Sequence, residues 1–232
     1  MKTIANLKNN NDLSKSSRDR LLDTAEELFA EKGFNSTSIR EITAKSHSNI
    51  AAVNYHFGGK ENLYSEVFRR RLIALRDIRL ARIEKVMSQP MQKPTLKDLI
   101  QAFANAFIEP LIDHSSGRRF MKLMINEMSD PRLPKKMFAD EIAGPTLNAL
   151  GKGIAMVCPG LEQKKIMLSI LSIIGQLLQA IHINEMFNLS DFIGATAPTL
   201  PEMVDHIVDF SVAGIQAAIT AKNNGTNPRS NT

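Results

Sequence analysis

Apolar residues recur at intervals of three and four along nearly the whole chain, and no run alternates apolar with polar. That pattern predicts helices packed on helices and no sheet, hence an all-α protein. Composition points the same way: 12 Gly, 10 Pro, 2 Tyr and no Trp are few turn-formers and few β-favouring aromatics for 232 residues. With 43% hydrophobic and 23% charged residues the chain is globular, with room for one large domain or a small one joined to a larger one. The single cysteine excludes an internal disulfide framework and a Cys-rich zinc site, and it suits a reducing compartment. The leading stretch MKTIANLKNNNDLSKSS lacks the apolar core of a signal peptide, so a cytoplasmic location is expected.

The net charge of +5 is unevenly spread. Residues 1–87 hold 16 Lys/Arg against 11 Asp/Glu, whereas residues 88–232 hold 13 of each. A basic segment followed by a neutral one suggests a polyanion-binding module attached to something else. Charge alone leaves nucleic acid and a membrane surface as equal candidates.

Residues 1–15 are polar and aperiodic and read as a flexible arm. Ser16 or Ser17 can cap a first helix carrying Leu21, Leu22, Ala25, Leu28 and Phe29, ended by Gly33, with Phe34 folding back onto it. A short second helix from about Thr37 or Ser38 buries Ile39 and Ile42, and Ser38-x-x-Glu41 permits a capping box. A third follows the SHSN turn on Ile50, Val53 and Phe57 and stops at Gly58-Gly59. A long amphipathic helix then runs from Lys60–Glu61 to before Pro90. Three such helices with a tight turn between the second and third form a helix-turn-helix. Downstream, helices are expected at about 95–112, 117–128, 134–157, 160–187 and 201–222, with a frayed tail from 223. The stretch 166–183 is the most apolar, but polar residues interrupt it, so a buried or interface helix is preferred to a membrane span.

The segment Arg18 to Phe68 resembles the DNA-binding domain of the TetR/AcrR family of transcriptional regulators. The matching features are Ala25-x-x-Leu28-Phe29, Gly33-Phe34, Thr37-Ser38-Ile39, Glu41-Ile42, Tyr55-His56-Phe57 and Lys60-Glu61-x-Leu63. The wording NxAAVNYHFGGKExLY is closest to the branch with a CerR-like C-terminal domain, and a weaker similarity continues in FMKLMINEMSDP and Gly175-Gln176. One departure stands out. The usual Ala-Gly-Val of the turn is Ser46-His47-Ser48 here, which puts a histidine where positive φ is commonly needed and removes an apolar anchor.

A recognition helix needs an apolar inner face and a short polar outer face. Ile50, Val53 and Phe57 supply the first, leaving Asn49, Ala51, Ala52, Asn54, Tyr55 and His56 for DNA. Asn54 is the best base reader, since an amide can pair bidentately with adenine; Ala52 can touch a thymine methyl and Ala51 permits close approach. The resemblance assigns Thr37, Tyr55, His56 and Lys60 mainly to phosphate, with packing between helices the competing reading of Tyr55 and His56. Arg40 can reach a phosphate or a base, and Ser38 completes the DNA-facing set. Arginines 69, 70, 71, 76, 79 and 82 on the long helix read as a solvated charged face.

Seven of the eleven methionines lie between 121 and 186, a pattern of core filler or of an adaptable apolar pocket. By resemblance, residues 16–64 form the reading domain, and residues 65–222 form a larger domain that binds an effector and dimerises through the last two long helices. Phe103, Phe107, Phe120, Met124 and Gln176 are the candidate effector-pocket residues. No phosphate-binding loop, HExxH or nucleophile–base set is present, so no catalytic residue, metal site or cofactor is expected. The resemblance implies a homodimeric repressor that binds double-stranded operator DNA, responds to a small molecule and has no membrane partner. A small-molecule-binding protein or enzyme with an accessory helix-turn-helix is the rival reading.

Overall fold

The computed structural model describes residues 16–89, 93–112, 114–186, 191 and 197–225. The expected arm at 1–15, most of the expected tail and Phe187 lie outside them. The described elements are helical throughout: α1 (Ser17–Ser36), α2 (Ile39–Lys45), α3 (Ile50–Phe57), α4 (Lys60–Met87), α5 (Leu96–Ile112), α6 (His114–Ser129), a short α7 (Lys135–Phe138), a π-helical turn (Ala139–Ala143), α8 (Gly144–Val157), α9 (Gln163–Met186) and α10 (Leu200–Gly225). No strand occurs among the described residues.

The helix starts follow local chemistry. Ser16, Ser38 and Asn49 cap α1, α2 and α3 by accepting the backbone N–H of Asp19, Glu41 and Ala52. Thr95 and Thr199 form reciprocal boxes with Asp98 and Glu202 at the starts of α5 and α10. The Ser38–Glu41 box is only half made, because the Glu41 carboxylate turns to Lys32 instead. Within α1 the backbone breaks at Gly33, with φ 74° and ψ 172°, so Phe34 stacks back on Phe29 with ring centroids 5.8 Å apart.

Two expected helices differ in detail. The helix expected over 134–157 forms without a break but changes pitch, passing through the π-helical turn Ala139–Ala143 just before Pro145, whose missing N–H cannot join the regular ladder. Gly144 is required at that join: a Cβ there would lie 2.8 Å from the Ala139 carbonyl oxygen. The last helix continues to Gly225, beyond the expected end at 222.

The helices group into two compact units, one of Met1–Ala74 with Asp113–Phe138, the other of Leu75–Ile112 with Ala139–Thr232. The boundary falls inside α4. In the first unit α6 packs on α1, and an aromatic chain runs Phe34–Tyr64–Phe68–Phe120 with successive centroids 4.9–6.1 Å apart. The Tyr64 hydroxyl donates to Glu127 at 3.0 Å, and Asn126 donates to the Phe29 carbonyl at 3.3 Å. In the second unit α10 packs on α9 and α5, and α8 packs on α9.

The arginine run on α4 is not the solvated face that its sequence suggests. Glu26 on α1, its side chain 1% exposed, accepts from Arg70 at 2.9 Å and from Arg71 at 2.6 and 3.0 Å. Arg69 pairs with Glu66, Arg76 donates to the Glu141 carbonyl at 2.8 Å, and Arg82 meets Glu109 at 3.3 Å. The buried Glu26 carboxylate draws Arg70 and Arg71 inward, whereas Arg82 stays in an exposed pair as the sequence suggests.

Candidate nucleic-acid interface

The first unit presents α3 outward. Val53 and Phe57 are buried and hold the helix down, while Ala51, Asn54 and Tyr55 are exposed. Gly58 takes φ 75° and ends the helix in the left-handed conformation that a glycine accepts without strain. Tyr55 is 86% exposed. An aromatic ring that bare contributes little to packing within the chain beyond its edge contact with His56. His56 is half-buried between Tyr55 and Phe57, with centroids 5.0 and 6.0 Å away. Arg40 projects exposed from α2, and among the described residues neither its guanidinium nor the Asn54 amide has a partner.

Ile50 does not join the inner face as expected: it is 44% exposed, because at the first position after the cap it overhangs the end of the short helix. Asn49 is exposed but its Oδ1 is committed to the Ala52 N–H at 2.8 Å, leaving its NH₂ free to donate outward. Ser38 is likewise exposed and accepts the Glu41 N–H. Ala52 is half-buried at the edge of the outer face.

Thr37 departs most from expectation. It is 1% exposed, and its hydroxyl lies between the carbonyls of Gly33 at 2.8 Å and Leu28 at 3.2 Å. It stitches the α1–α2 corner and cannot reach phosphate with that side chain. Lys60 is half-buried, its ammonium 4.2 Å from the centroid of Phe34, and Arg132 lies over the same ring at 4.7 Å. Burial first, and the Arg132 charge after it, hold the Lys60 ammonium below its ordinary pKa of 10.5.

The turn that presents α3 is tight. His47 has φ 51°, a positive value at the position where the sequence departs from glycine. Ser46 is buried, its hydroxyl donating to the Thr43 carbonyl at 3.3 Å and its own carbonyl accepting from Arg20 Nε at 3.3 Å. The two serines thus replace apolar packing by local hydrogen bonds.

The effector candidates belong to different units. Phe103 and Phe107 are buried neighbours on α5, 5.8 Å between centroids, in the second unit. Phe120 packs against Phe68 at 6.1 Å and Met124 is half-buried, both on α6 in the first. Gln176 is spent on its own helix, donating to the Ser172 carbonyl at 3.2 Å. A cleft of about 360 Å³ in the second unit is lined by none of them, but by Leu80, Ile83, Glu84 and Met87 of α4 and Ala149, Lys152, Gly153 and Met156 of α8. Sequence reading missed it, although Met156 belongs to the methionine cluster.

A capped, outward-facing third helix that follows α1 and the short α2 and is anchored on a long fourth defines a helix-turn-helix DNA-binding protein. Residues 21–67 match the model of bacterial regulatory proteins of the tetR family, and residues 96–215 match the C-terminal domain of the transcriptional dual regulator CecR, the branch given above as CerR-like. The chain belongs to the TetR family of transcriptional regulators and carries a CecR-type C-terminal domain. Among curated relatives it is 40% identical over 57 residues to the probable regulator YttP of Bacillus subtilis, covering 23% of this chain and 28% of that protein. It is 47% identical over 47 residues to CecR of Shigella flexneri, covering 20% and 21%. These matches span under a third of either relative. A protein of Mesorhizobium loti assigned to the TetR family shares the fold at TM-score 0.60 and 22% identity, over 87% of this chain and 95% of that one.

Proposed function

We propose that this chain is a cytoplasmic one-component repressor that binds an inverted-repeat operator as a homodimer and releases it when a small effector binds within residues 65–222. The exposed set of Arg40, Asn54 and Tyr55 on α2 and α3, with the Arg40 guanidinium and the Asn54 amide unpartnered among the described residues, carries the reading. In this reading Asn54 pairs with an adenine edge, Ala51 and Ala52 lie against the groove floor, and Tyr55, His56 and Lys60 hold phosphates. Ser38 and Asn49 add contacts through what their caps leave free. Thr37 is a strut.

Dimerisation through α9 and α10 is supported by their exposed apolar residues. Leu168, Leu171 and Leu178 on α9 are 41–55% exposed, and Phe210 on α10 is 64% exposed. The window Gln163–Asn184 is also long and apolar enough to cross a membrane by length and composition. A subunit interface covers the same surface and agrees with α9 packing on α10, α8 and α5.

Selection of bound sequences from a random DNA pool, at low and at moderate salt, tests this. The expected product is one inverted repeat whose half-sites lie ~34 Å apart or at a multiple of that spacing. Recovery of unrelated sequences whose binding collapses with salt would leave a phosphate-driven contact without readout, and the proposal would fail.

A further inference from the structure

Among the described residues of the first unit, four large apolar or aromatic side chains stand exposed, and two of them, Ile50 and Tyr55, belong to the eight residues of α3; the others are Ile125 and Met128. Tyr55 carries a hydroxyl that can meet a phosphate. Ile50 has no polar atom to offer, and the start of the helix is already capped by Asn49. A single exposed isoleucine needs no explanation in itself, and a β-branched side chain gains the helix nothing at that point. The position of this one supplies a reason.

Ile50 is the first residue of α3, and the N-terminal residues of a recognition helix are the ones that meet base edges. The helix reads Ile-Ala-Ala-Val-Asn-Tyr-His-Phe and contains no Arg or Lys, so the bidentate guanine contact is missing from it. What it presents instead is an amide at Asn54 and, one helical turn before it on the adjoining face, the apolar surface of Ile50. An A·T pair shows the major groove a donor and an acceptor on adenine and a C5-methyl on thymine, which are the complements of those two side chains. Four residues of helix advance ~6 Å, and stacked bases are spaced by about 3.4 Å. With α3 lying along the groove, Ile50 and Asn54 therefore reach bases one or two pairs apart.

We infer that Ile50 is a specificity-determining residue that packs on the C5-methyl of a thymine one or two base pairs from the base read by Asn54. The inference rests on the operator-binding reading above and deepens it, adding an apolar base contact at a named residue. Removing water from the isoleucine and from the methyl is the whole interaction, so it separates thymine from uracil without any hydrogen bond.

The test replaces each thymine of the selected operator in turn by deoxyuridine, which lacks only the C5-methyl, and titrates each duplex with the full chain by fluorescence anisotropy. At one thymine per half-site, replacement in both halves should weaken binding about fifteenfold, from about fourfold per buried methyl. Replacement elsewhere should be close to neutral. Ile50→Ala should bind the thymine and deoxyuridine operators equally, and Ile50→Val should keep part of the difference. Ile50 is 44% exposed, so neither variant should shift the melting temperature appreciably. The scan of the unaltered chain with Ile50→Val decides the matter should Ile50→Ala fail to fold. Deoxyuridine forms that all bind alike, or half-sites that contain no thymine, would overturn the inference and leave the operator-binding reading standing. So would a methyl effect undiminished in Ile50→Ala, the result expected if Ala52 made the contact. Failure to select any inverted repeat would remove both.

Discussion

Replacing Glu26 by Gln tests whether the α4 arginines are interior groups. The side chain of Glu26 is 1% exposed, and its two oxygens accept from Arg70 and Arg71 at 2.6–3.0 Å. Glutamine keeps the shape but removes the charge and turns an NH₂ toward guanidinium donors. Arg70 retains Asp23 at 2.8 Å, whereas Arg71 has no second partner among the described residues. Removing one member of a buried ion pair costs about 3–5 kcal/mol. Both arginine side chains are 33% exposed, so water recovers part of that loss and ~2–3 kcal/mol is expected. For a chain of this size that lowers the melting temperature by roughly 6–9 °C. Circular dichroism during heating, with urea midpoints as the cross-check, measures it. The control is Lys97→Gln, which breaks a pair more than half exposed on both sides and should change stability by less than ~0.5 kcal/mol. If Glu26→Gln behaves like that control, the arginines are solvated after all and the packing argument is wrong.

His47→Gly should stabilise the protein by ~0.5–1 kcal/mol, because an exposed histidine is held at φ 51°; an unchanged or lower melting temperature refutes this. Thr37→Val should cost ~1–2 kcal/mol of stability yet leave DNA affinity of the folded fraction unchanged, and a selective loss of affinity would restore Thr37 to the interface. Asn54→Ala should lose about 1–3 kcal/mol at one preferred base, while Lys60→Ala should weaken all sequences alike and flatten the salt slope by ~1, both read by binding titrations on matched and scrambled DNA. Hydrogen bonds from Thr95 and Thr199 hold the Asp98 and Glu202 carboxyls below their ordinary values of 3.8 and 4.5. A depressed carboxyl stabilises the fold above its unfolded pKa and loses that as pH falls through the folded one. The stability gap between wild type and a Thr95→Ala/Thr199→Ala variant should therefore close as acid is added below about pH 4.

Local information made most helices legible. Caps at Ser16, Ser38 and Asn49 and the glycine at 58 are read from neighbours three or four positions away, and those neighbours decide the structure there. Misreadings arose where the deciding partner is remote. Glu26 lies 44 and 45 positions before the two arginines that it binds, so nothing near residue 70 distinguishes a solvated guanidinium from a buried one. Thr37 in a DNA-binding motif looks identical whether its hydroxyl points to phosphate or to the Leu28 carbonyl. Ile50 has the right spacing and the wrong location, one residue inside a cap where no neighbouring helix covers it. The π-helical turn before Gly144-Pro145, by contrast, has a local cause in the proline.

The grouping of α6 with the first unit bears on how a signal could reach the reading helix. Asn126 holds the backbone of α1 at Phe29, Glu127 takes the hydroxyl of Tyr64 on α4, and Asn35 donates to Asp130 at 3.3 Å. Burial, and then the Glu127 charge, raise the Tyr64 hydroxyl above its ordinary pKa, so it stays a donor at any physiological pH. Phe34 on the same side carries both Lys60, a phosphate candidate, and Arg132, which follows α6. A displacement of α6 therefore acts on Phe29, Phe34, Tyr64 and Lys60 together, and through Phe34 and Lys60 on the α3–α4 corner. Rigid helices joined by such discrete bonds shift between alternative packings and do not deform gradually. Whatever favours one position of α6 can redirect α3 by no more than its own free-energy difference between the two positions.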